Sequence, residues 1–307
     1  MYDIIVIGAG PAGMTAAIYG RRGGKKVLMI EKEGYGGQII NTPALENYPG
    51  FDTISGMDFS DKIYKQAMDW GAEMEYGTVD DITLIDKDKR IFKVSTEEGK
   101  EYETKSVILA TGVKSRPIGI DREEELVGRG VSYCAACDGA FFRDKTVVIL
   151  GGGNTALTDA EVLADLCKKV YIVHRRMQFR GDNAMVERLK KRDNVEMVLP
   201  YVPVELLGDE KITGIKIKNR ETEEIRTIDT DGIFVAFGNI PQNEAFRDAV
   251  GLDDAGYVVA AEDCVTDIEG IFTAGDCRTK KVRQVVTATG DGSVAAVAAI
   301  EYLNSRE

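Results

Sequence analysis

Two cysteines three positions apart, Cys134 and Cys137, with a carboxylate at Asp138 directly behind them, are the residues of this 307-residue chain best suited to chemistry. The C-x-x-C spacing can close a small redox disulfide, and placement at a helix start lowers a thiol pKa toward the nucleophilic thiolate. Asp138 stands where a proton donor or acceptor for those thiols is needed. Half a zinc site has the same spacing, but Cys167, Cys264 and Cys277 supply no second pair and His174 is the sole histidine. No metal is therefore expected, and those three cysteines read as small buried hydrophobes.

The elements that must serve such a dithiol are two glycine-rich turns. An apolar run at 3–7 ends in Gly8-Ala9-Gly10-Pro11-Ala12-Gly13; an Ala-rich helix follows to about Arg22, Gly23-Gly24 stop it, and a strand at 26–30 ends beside Glu31. In such a βαβ unit Gly8 permits the tight turn, Gly10 lets the backbone approach a pyrophosphate, and Gly13 allows close helix–strand packing. The helix N-terminus favours the anion, and Glu31 suits ribose hydroxyls while repelling a 2′-phosphate.

The arrangement recurs 143 residues downstream, where a strand at 146–150 enters Gly151-Gly152-Gly153-Asn154-Thr155-Ala156 and His174 takes the place of Glu31. Arg175, Arg176 and Arg180 follow, in a stretch 174–192 with seven Lys/Arg against two acids. Guanidinium forks in this register suit the 2′-phosphate of NADP, whereas Arg188 and 190–192 read as a solvated basic face. A nucleotide with a 2′-hydroxyl, one with a 2′-phosphate and a dithiol together describe an electron relay. A nicotinamide delivers a hydride and a disulfide takes electrons through thiolates, so a mediator is required, and flavin can serve.

Composition sets the bounds. The chain carries 39 Lys+Arg against 51 Asp+Glu, a net charge of −12, which repels polyanions and argues against nucleic acid or anionic membrane as the main partner. No apolar run approaches the ~20 residues of a membrane helix and no signal sequence precedes the first strand, so a cytoplasmic protein is expected. The matching segments 106–112 and 232–241, each a strand followed by glycine, are where the chain would cross between domains. The expected fold is α/β, with two Rossmann-like three-layer dinucleotide-binding domains. One spans 1–115 and 244–307, the other is inserted at 116–243, and β-rich material fills 32–105.

The chain resembles the low-molecular-weight thioredoxin reductases along essentially its whole length. The likeness rests on GAGPAG at 8–13, GGQ at 36–38, ENYPGF at 46–51, ATG at 110–112, CAACDG at 134–139, GGGNTA at 151–156, HRRMQFR at 174–180 and AGDCRTKKVRQVVTATGDG at 274–292. The resemblance implies FAD held by Gly8, Gly10, Pro11, Ala12, Gly13 and Glu31. Gly37, Gln38, Asn47 and Thr111 would line its flavin and ribityl region. Gly275 and Asp276, at the end of a strand, would lie near the ribityl and pyrophosphate, and Arg283, Gln284 and Val285 beside the isoalloxazine. NADPH would meet Gly151, Gly153, Asn154, Thr155, His174, Arg175, Arg176 and Arg180. Where the family often has Asp-Ser or Asn-Ser and a pair of glutamates, this chain has Asn154-Thr155 and Thr158-Asp159, which keep a hydroxyl and a carboxylate.

By the same resemblance, Cys137 faces the flavin, Cys134 attacks the disulfide of thioredoxin or a similar redoxin, Asp138 handles the proton, and the protein is a homodimer. Nicotinamide and dithiol must reach one flavin in turn, which calls for a large domain rotation on hinges near 115 and 243. The rivals are a ferredoxin-fed flavin thioredoxin reductase, the flavin module of an alkyl hydroperoxide reductase, and a non-enzymatic flavin redox sensor.

Overall fold

The computed structural model describes residues 1–42 and 44–306. The chain falls into two compact units, one made of Met1–Lys114 with Ile240–Glu307 and the other of Ser115–Asn239; Glu307 itself lies outside the described residues.

The first unit is built on the strand Tyr2–Ile7, the helix Pro11–Arg22 and the strand Val27–Glu31. Ile4, Ile5, Val6 and Ile7 are all buried, as expected of a parallel strand covered on both faces. Pro11 opens the helix, where its missing N–H costs nothing, and Arg21 and Arg22 sit in the last turn beside the negative end of the dipole. Gly24, at φ +77°, turns the chain out of it. The strand Glu73–Tyr76 flanks Val27–Glu31, and the strand Glu101–Leu109 lies on the other side of Tyr2–Ile7. The far edge of Glu101–Leu109 is shared. Its N-terminal half pairs antiparallel with Ile91–Thr96 and its C-terminal half parallel with Ile271–Thr273.

Two helices belong to this unit, and one of them, Gly56–Asp69, corrects the expectation of mere β-rich filling at 32–105. Gly56–Asp69 is capped by Ser55, whose hydroxyl accepts from the Asp58 amide at 3.0 Å. The Ser55-x-x-Asp58 spacing was its available signal. Val285–Asn304 lies against Pro11–Arg22. A Cβ on Gly292 would overlap the Ala12 carbonyl, and Ala295, Ala296 and Ala299 are fully buried, so small side chains let the two helices approach closely.

In the second unit the strands Thr146–Leu150, Lys169–Val173, Val195–Val198, Gly232–Val235 and Val131–Ser132 form a five-stranded sheet in which every pairing is parallel. The helix Asn154–Leu166 follows the first of these. An antiparallel meander, Tyr201–Leu207, Gly214–Asn219 and Ile225–Asp229, fills the connection between Val195–Val198 and Gly232–Val235. Among the described residues no helix is long and apolar enough to cross a membrane.

Candidate functional site

The first glycine turn is shaped by backbone approaches that only glycine tolerates. Gly8 sits at φ +104°, and a Cβ there would overlap the Ala110 carbonyl; one on Gly13 would overlap the Gly8 carbonyl. Gly10 differs, since a Cβ on it would meet nothing within 4 Å. Its open side lies at the N-terminus of Pro11–Arg22, where helix amides are available to an anion. Glu31 braces the turn, Oε2 accepting from the Ala9 amide at 2.7 Å and Oε1 from the Glu33 amide at 3.1 Å. The Gly36 amide reaches the Ala9 carbonyl at 2.8 Å, and Gly37 faces the Gly10 backbone.

Distant segments gather around this turn. Gln38 donates from Nε2 to the Val113 carbonyl. Asn47 Nδ2 donates to Gln284 Oε1 at 3.2 Å, and Gln284 caps the helix that begins at Val285 in a capping box with Thr287. Gly275, at φ +83°, lies against Ala12, where a Cβ would crowd the alanine methyl. Asp276 follows in a single turn of 3₁₀ helix, Gly275–Cys277, and not on the strand itself, which ends at Thr273. Its Oδ1 is buried without a hydrogen-bond partner among the described residues. Burial pushes its carboxyl up to about 6, against the pull of Lys280 and Arg283. Arg283 donates from Nε to the Asp276 carbonyl at 3.3 Å and lies over the Tyr257 ring at 4.3 Å.

Three residues that sequence reasoning passed over hold the functional groups in place, and two of them serve this turn. Asn243 is fully buried; its Oδ1 accepts from Thr111 Oγ1 at 2.7 Å, and its Nδ2 donates to the carbonyls of Cys277 (2.8 Å) and Gly256 (2.9 Å). Asp291 Oδ2 accepts from the Gly275 amide at 3.0 Å and from Lys280 at 2.8 Å, and its carboxylate takes two bonds from buried Arg278, at 2.9 and 3.0 Å. These cations hold the Asp291 carboxyl below the usual range despite its burial. Only the three-dimensional fold shows what these side chains hold; Asp291 lies within the 274–292 segment, but its type and spacing name no partner.

The second turn repeats the first with different side chains. Gly151, at φ +156°, faces the Ala236 carbonyl as Gly8 faces that of Ala110, and Gly153, like Gly10, has open space beside it. Gly152 is required by His174, because a Cβ on it would meet the imidazole ring. That ring stacks on Phe179 at 5.4 Å, and its Nε2 is buried without a partner among the described residues. Burial, reinforced by Arg175, Arg176 and Arg180, lowers the His174 pKa and keeps the ring neutral. The amides of Arg180 and Gly181 donate to the Gly152 carbonyl at 2.7 and 3.2 Å, and Asn154 Oδ1 accepts from the Asp182 amide at 2.8 Å. The arginine loop is thereby fastened to the turn, with Arg175, Arg176, Arg180 and Thr155 exposed.

Cys134 and Cys137 form a disulfide, with Cα atoms 5.3 Å apart. Cys134 caps a single helical turn, Ala135–Asp138, directly after the strand Val131–Ser132. Buried Ser132 is the third overlooked residue. It donates from Oγ to Asp138 Oδ2 at 2.6 Å and accepts from the Cys134 amide at 3.1 Å. Asp138 Oδ1 is buried with no partner among the described residues, and burial raises the Asp138 pKa against the pull of the Ser132 hydrogen bond. The remaining cysteines are buried, and burial pushes Cys167 up to about 11 and Cys264 to about 12, which keeps both as thiols.

Comparison with known proteins gives one answer. The family model for pyridine nucleotide-disulphide oxidoreductases matches residues 2–292. The chain is 43% identical over 304 residues to the thioredoxin reductase of Listeria monocytogenes, covering 99% of this chain and 94% of that protein. It is 40% identical to the thioredoxin reductase of Bacillus subtilis, covering 99% and 95%. The crystal structure of thioredoxin reductase from Streptococcus pyogenes superposes with a TM-score of 0.94 at 40% identity, over 99% of both chains. That of Lactococcus lactis thioredoxin reductase in its FR conformation superposes at 0.68, also at 40% identity, over 99% of this chain and 100% of that one. With two dinucleotide-type α/β units and a closed C-x-x-C disulfide, the chain belongs to the pyridine nucleotide-disulphide oxidoreductases and, within them, to the thioredoxin reductases.

Proposed function

We propose that this oxidoreductase reduces the disulfide of thioredoxin or a thioredoxin-like redoxin with electrons from NADPH, passed through FAD and the Cys134–Cys137 pair. The observation that carries the reading is the disulfide itself, closed beside the Asp138 carboxyl, whose buried Oδ1 has no partner among the described residues, in a chain with two glycine cradles. The residues fit the groups assigned to them. FAD belongs to the unit containing Gly8, where open space beside Gly10 suits a pyrophosphate and Asp276 Oδ1, without a partner among the described residues, suits a ribityl hydroxyl. NADPH belongs to the unit containing Gly151, where Gly153 offers the same opening and the exposed arginines suit a 2′-phosphate. FAD, when bound, supplies the means to accept a hydride and pass its two electrons to a disulfide.

The chain's own residues do the rest. Reduction opens the disulfide to two thiols; Asp138 takes the proton from Cys134, and the Cys134 thiolate attacks one sulfur of the redoxin disulfide, expelling the other as a thiolate. Cys137, on losing its own proton, then attacks Cys134 in the mixed disulfide. The enzyme disulfide re-forms, and the redoxin leaves with both electrons and two protons. Nicotinamide and dithiol use the flavin in turn, so the inserted unit must swing on the connections near 115 and 243. A cross-link that locks it would allow one half-reaction only. The second cradle and its arginines are parts that a ferredoxin-fed relative would not need. A homodimer in the cytoplasm completes the reading.

Steady-state NADPH oxidation with oxidised thioredoxin tests it. Thioredoxin should be reduced one disulfide per NADPH consumed, and Cys134→Ser should end that turnover. Unchanged thioredoxin reduction by the variant would refute the reading.

A further inference from the structure

Ser132 has no part in the thiol–disulfide exchange itself, yet its side chain joins the two ends of the redox turn. It ends the edge strand of the parallel sheet, paired with Phe234 and 5% exposed, so the sheet fixes where its hydroxyl points. A hydroxyl has one proton to donate and two lone pairs. Here the proton is directed to Asp138 Oδ2, 2.6 Å away, and a lone pair takes the Cys134 amide at 3.1 Å. The carboxyl is thus gripped by one oxygen only, and Oδ1 stays buried and without a partner among the described residues.

We propose that Ser132 is a positioning residue for the thiol–disulfide step: it holds Asp138 through Oδ2, leaving Oδ1 to take the proton of the Cys134 thiol and give it back. The inference rests on the proposed function, in which Asp138 serves the dithiol. A donor to the ionised carboxyl also offsets part of what burial does to it. Among the described residues, the elements packed against the turn bring no rival charge to the Asp138 carboxyl. On Asn154–Leu166, Glu161 is paired with Arg188 at 2.8 Å and Asp165 with Arg192 at 2.5 Å. Asp159, on the same helix, is pushed up to about 6 by its own burial, and it is not among the influences on Asp138. The segment Gly139–Phe142 carries no charge.

The test is the rate at which iodoacetamide alkylates Cys134 in the reduced holoenzyme, read by peptide mass from about pH 5 to about pH 9. Ser132→Ala should slow alkylation about tenfold on the acid side and move that limb up by about one pH unit, the scale of a lost hydrogen bond to a charged group. Ser132→Thr, which keeps the hydroxyl on a strand, should restore the wild-type profile. Asp138→Asn should move the acid limb further, up to the ordinary thiol range at about pH 8.5. If Asp138→Asn alters the profile while Ser132→Ala leaves it untouched, the role of Ser132 is overturned and the reading of Asp138 stands. If neither substitution moves the profile, the reading of Asp138 fails and takes this inference with it. If Ser132→Thr behaves as Ser132→Ala, Ser132 acts by packing and the proposal is wrong.

Discussion

In both units a fifth parallel strand lies two places from the strand that enters the glycine turn, but the chain reaches it by opposite routes. In the first unit Val6 pairs with Ile108, which pairs with Phe272, so the fifth strand comes from the far end of the chain. In the second, Ile149 pairs with Phe234, which pairs with Ser132, and the fifth strand comes before the turn it serves. Val6 and Ile149 stand 143 residues apart, the same offset that relates Gly8 to Gly151. Phe272 and Ser132 are therefore equivalent, and the segment after each gives its unit a specialty. Phe272 leads into a turn with a buried carboxyl, Asp276; Ser132 leads into the disulfide. One scaffold position, at the carboxyl ends of the strands where α/β sheets place their ligands, leads to a carboxyl with a partnerless oxygen among the described residues in one unit and to a disulfide in the other.

The turns differ in the same spirit. Ala9 and Gly152 are equivalent, yet Ala9 offers its amide to Glu31 whereas Gly152 gives up its side chain to make room for His174. In the proposed reading, the acid that fastens the first turn excludes a 2′-phosphate by charge, and the neutral ring followed by arginines in the second admits one.

The largest way to break the comparison is at the dithiol. Cys134→Ser should cut redoxin reduction by more than about a thousandfold, the scale of losing an attacking nucleophile. It should also leave a thiolate–flavin charge-transfer absorbance from Cys137; its appearance in Cys137→Ser instead would reverse the two roles. Next, replacing Arg175 and Arg176 with alanine should weaken NADPH about a hundredfold, as two charge-assisted contacts disappear, while NADH changes little. Equal losses for both coenzymes would mean that the arginines do not read the phosphate.

Asp276 carries a smaller effect of definite sign. Its folded pKa, about 6, is raised above the ordinary carboxyl value, so the flavin-free protein loses stability as pH rises from about 4 to about 6. Asp276→Asn should therefore stabilise that form by about 3 kcal/mol above pH 6, with no gain near pH 4, as measured by urea unfolding. The same variant should hold FAD less tightly. The smallest test concerns the third glycine position. Gly13 cannot carry a Cβ, but its counterpart Ala156 does, fully buried. Ala156→Gly should cost about 2 kcal/mol, the penalty for glycine within a helix plus that of a lost buried methyl, as read from the urea midpoint.

Much of this was legible in the sequence because the informative residues are close neighbours along it. Gly8 to Glu31, its repeat at Gly151 to His174, and Cys134 to Asp138 each fall within a short stretch whose spacing reflects one turn and the helix after it. Ser132, Asn243 and Asp291 were not legible. Each is a common polar residue whose meaning comes from a partner that the fold supplies, and Asn243 meets Thr111 across 132 positions. The helix Val285–Asn304 escaped notice for a related reason, since it is rich in small residues and declares itself only by how closely it approaches Pro11–Arg22.

The central claim is that two unlike cradles and a dithiol form one electron path, and anaerobic titration followed by visible absorbance tests it most directly. NADPH should bleach a bound flavin, and oxidised thioredoxin, added next, should restore the colour in proportion to its disulfides. A preparation that binds no flavin, or a bleached one whose colour thioredoxin cannot restore, would contradict the account.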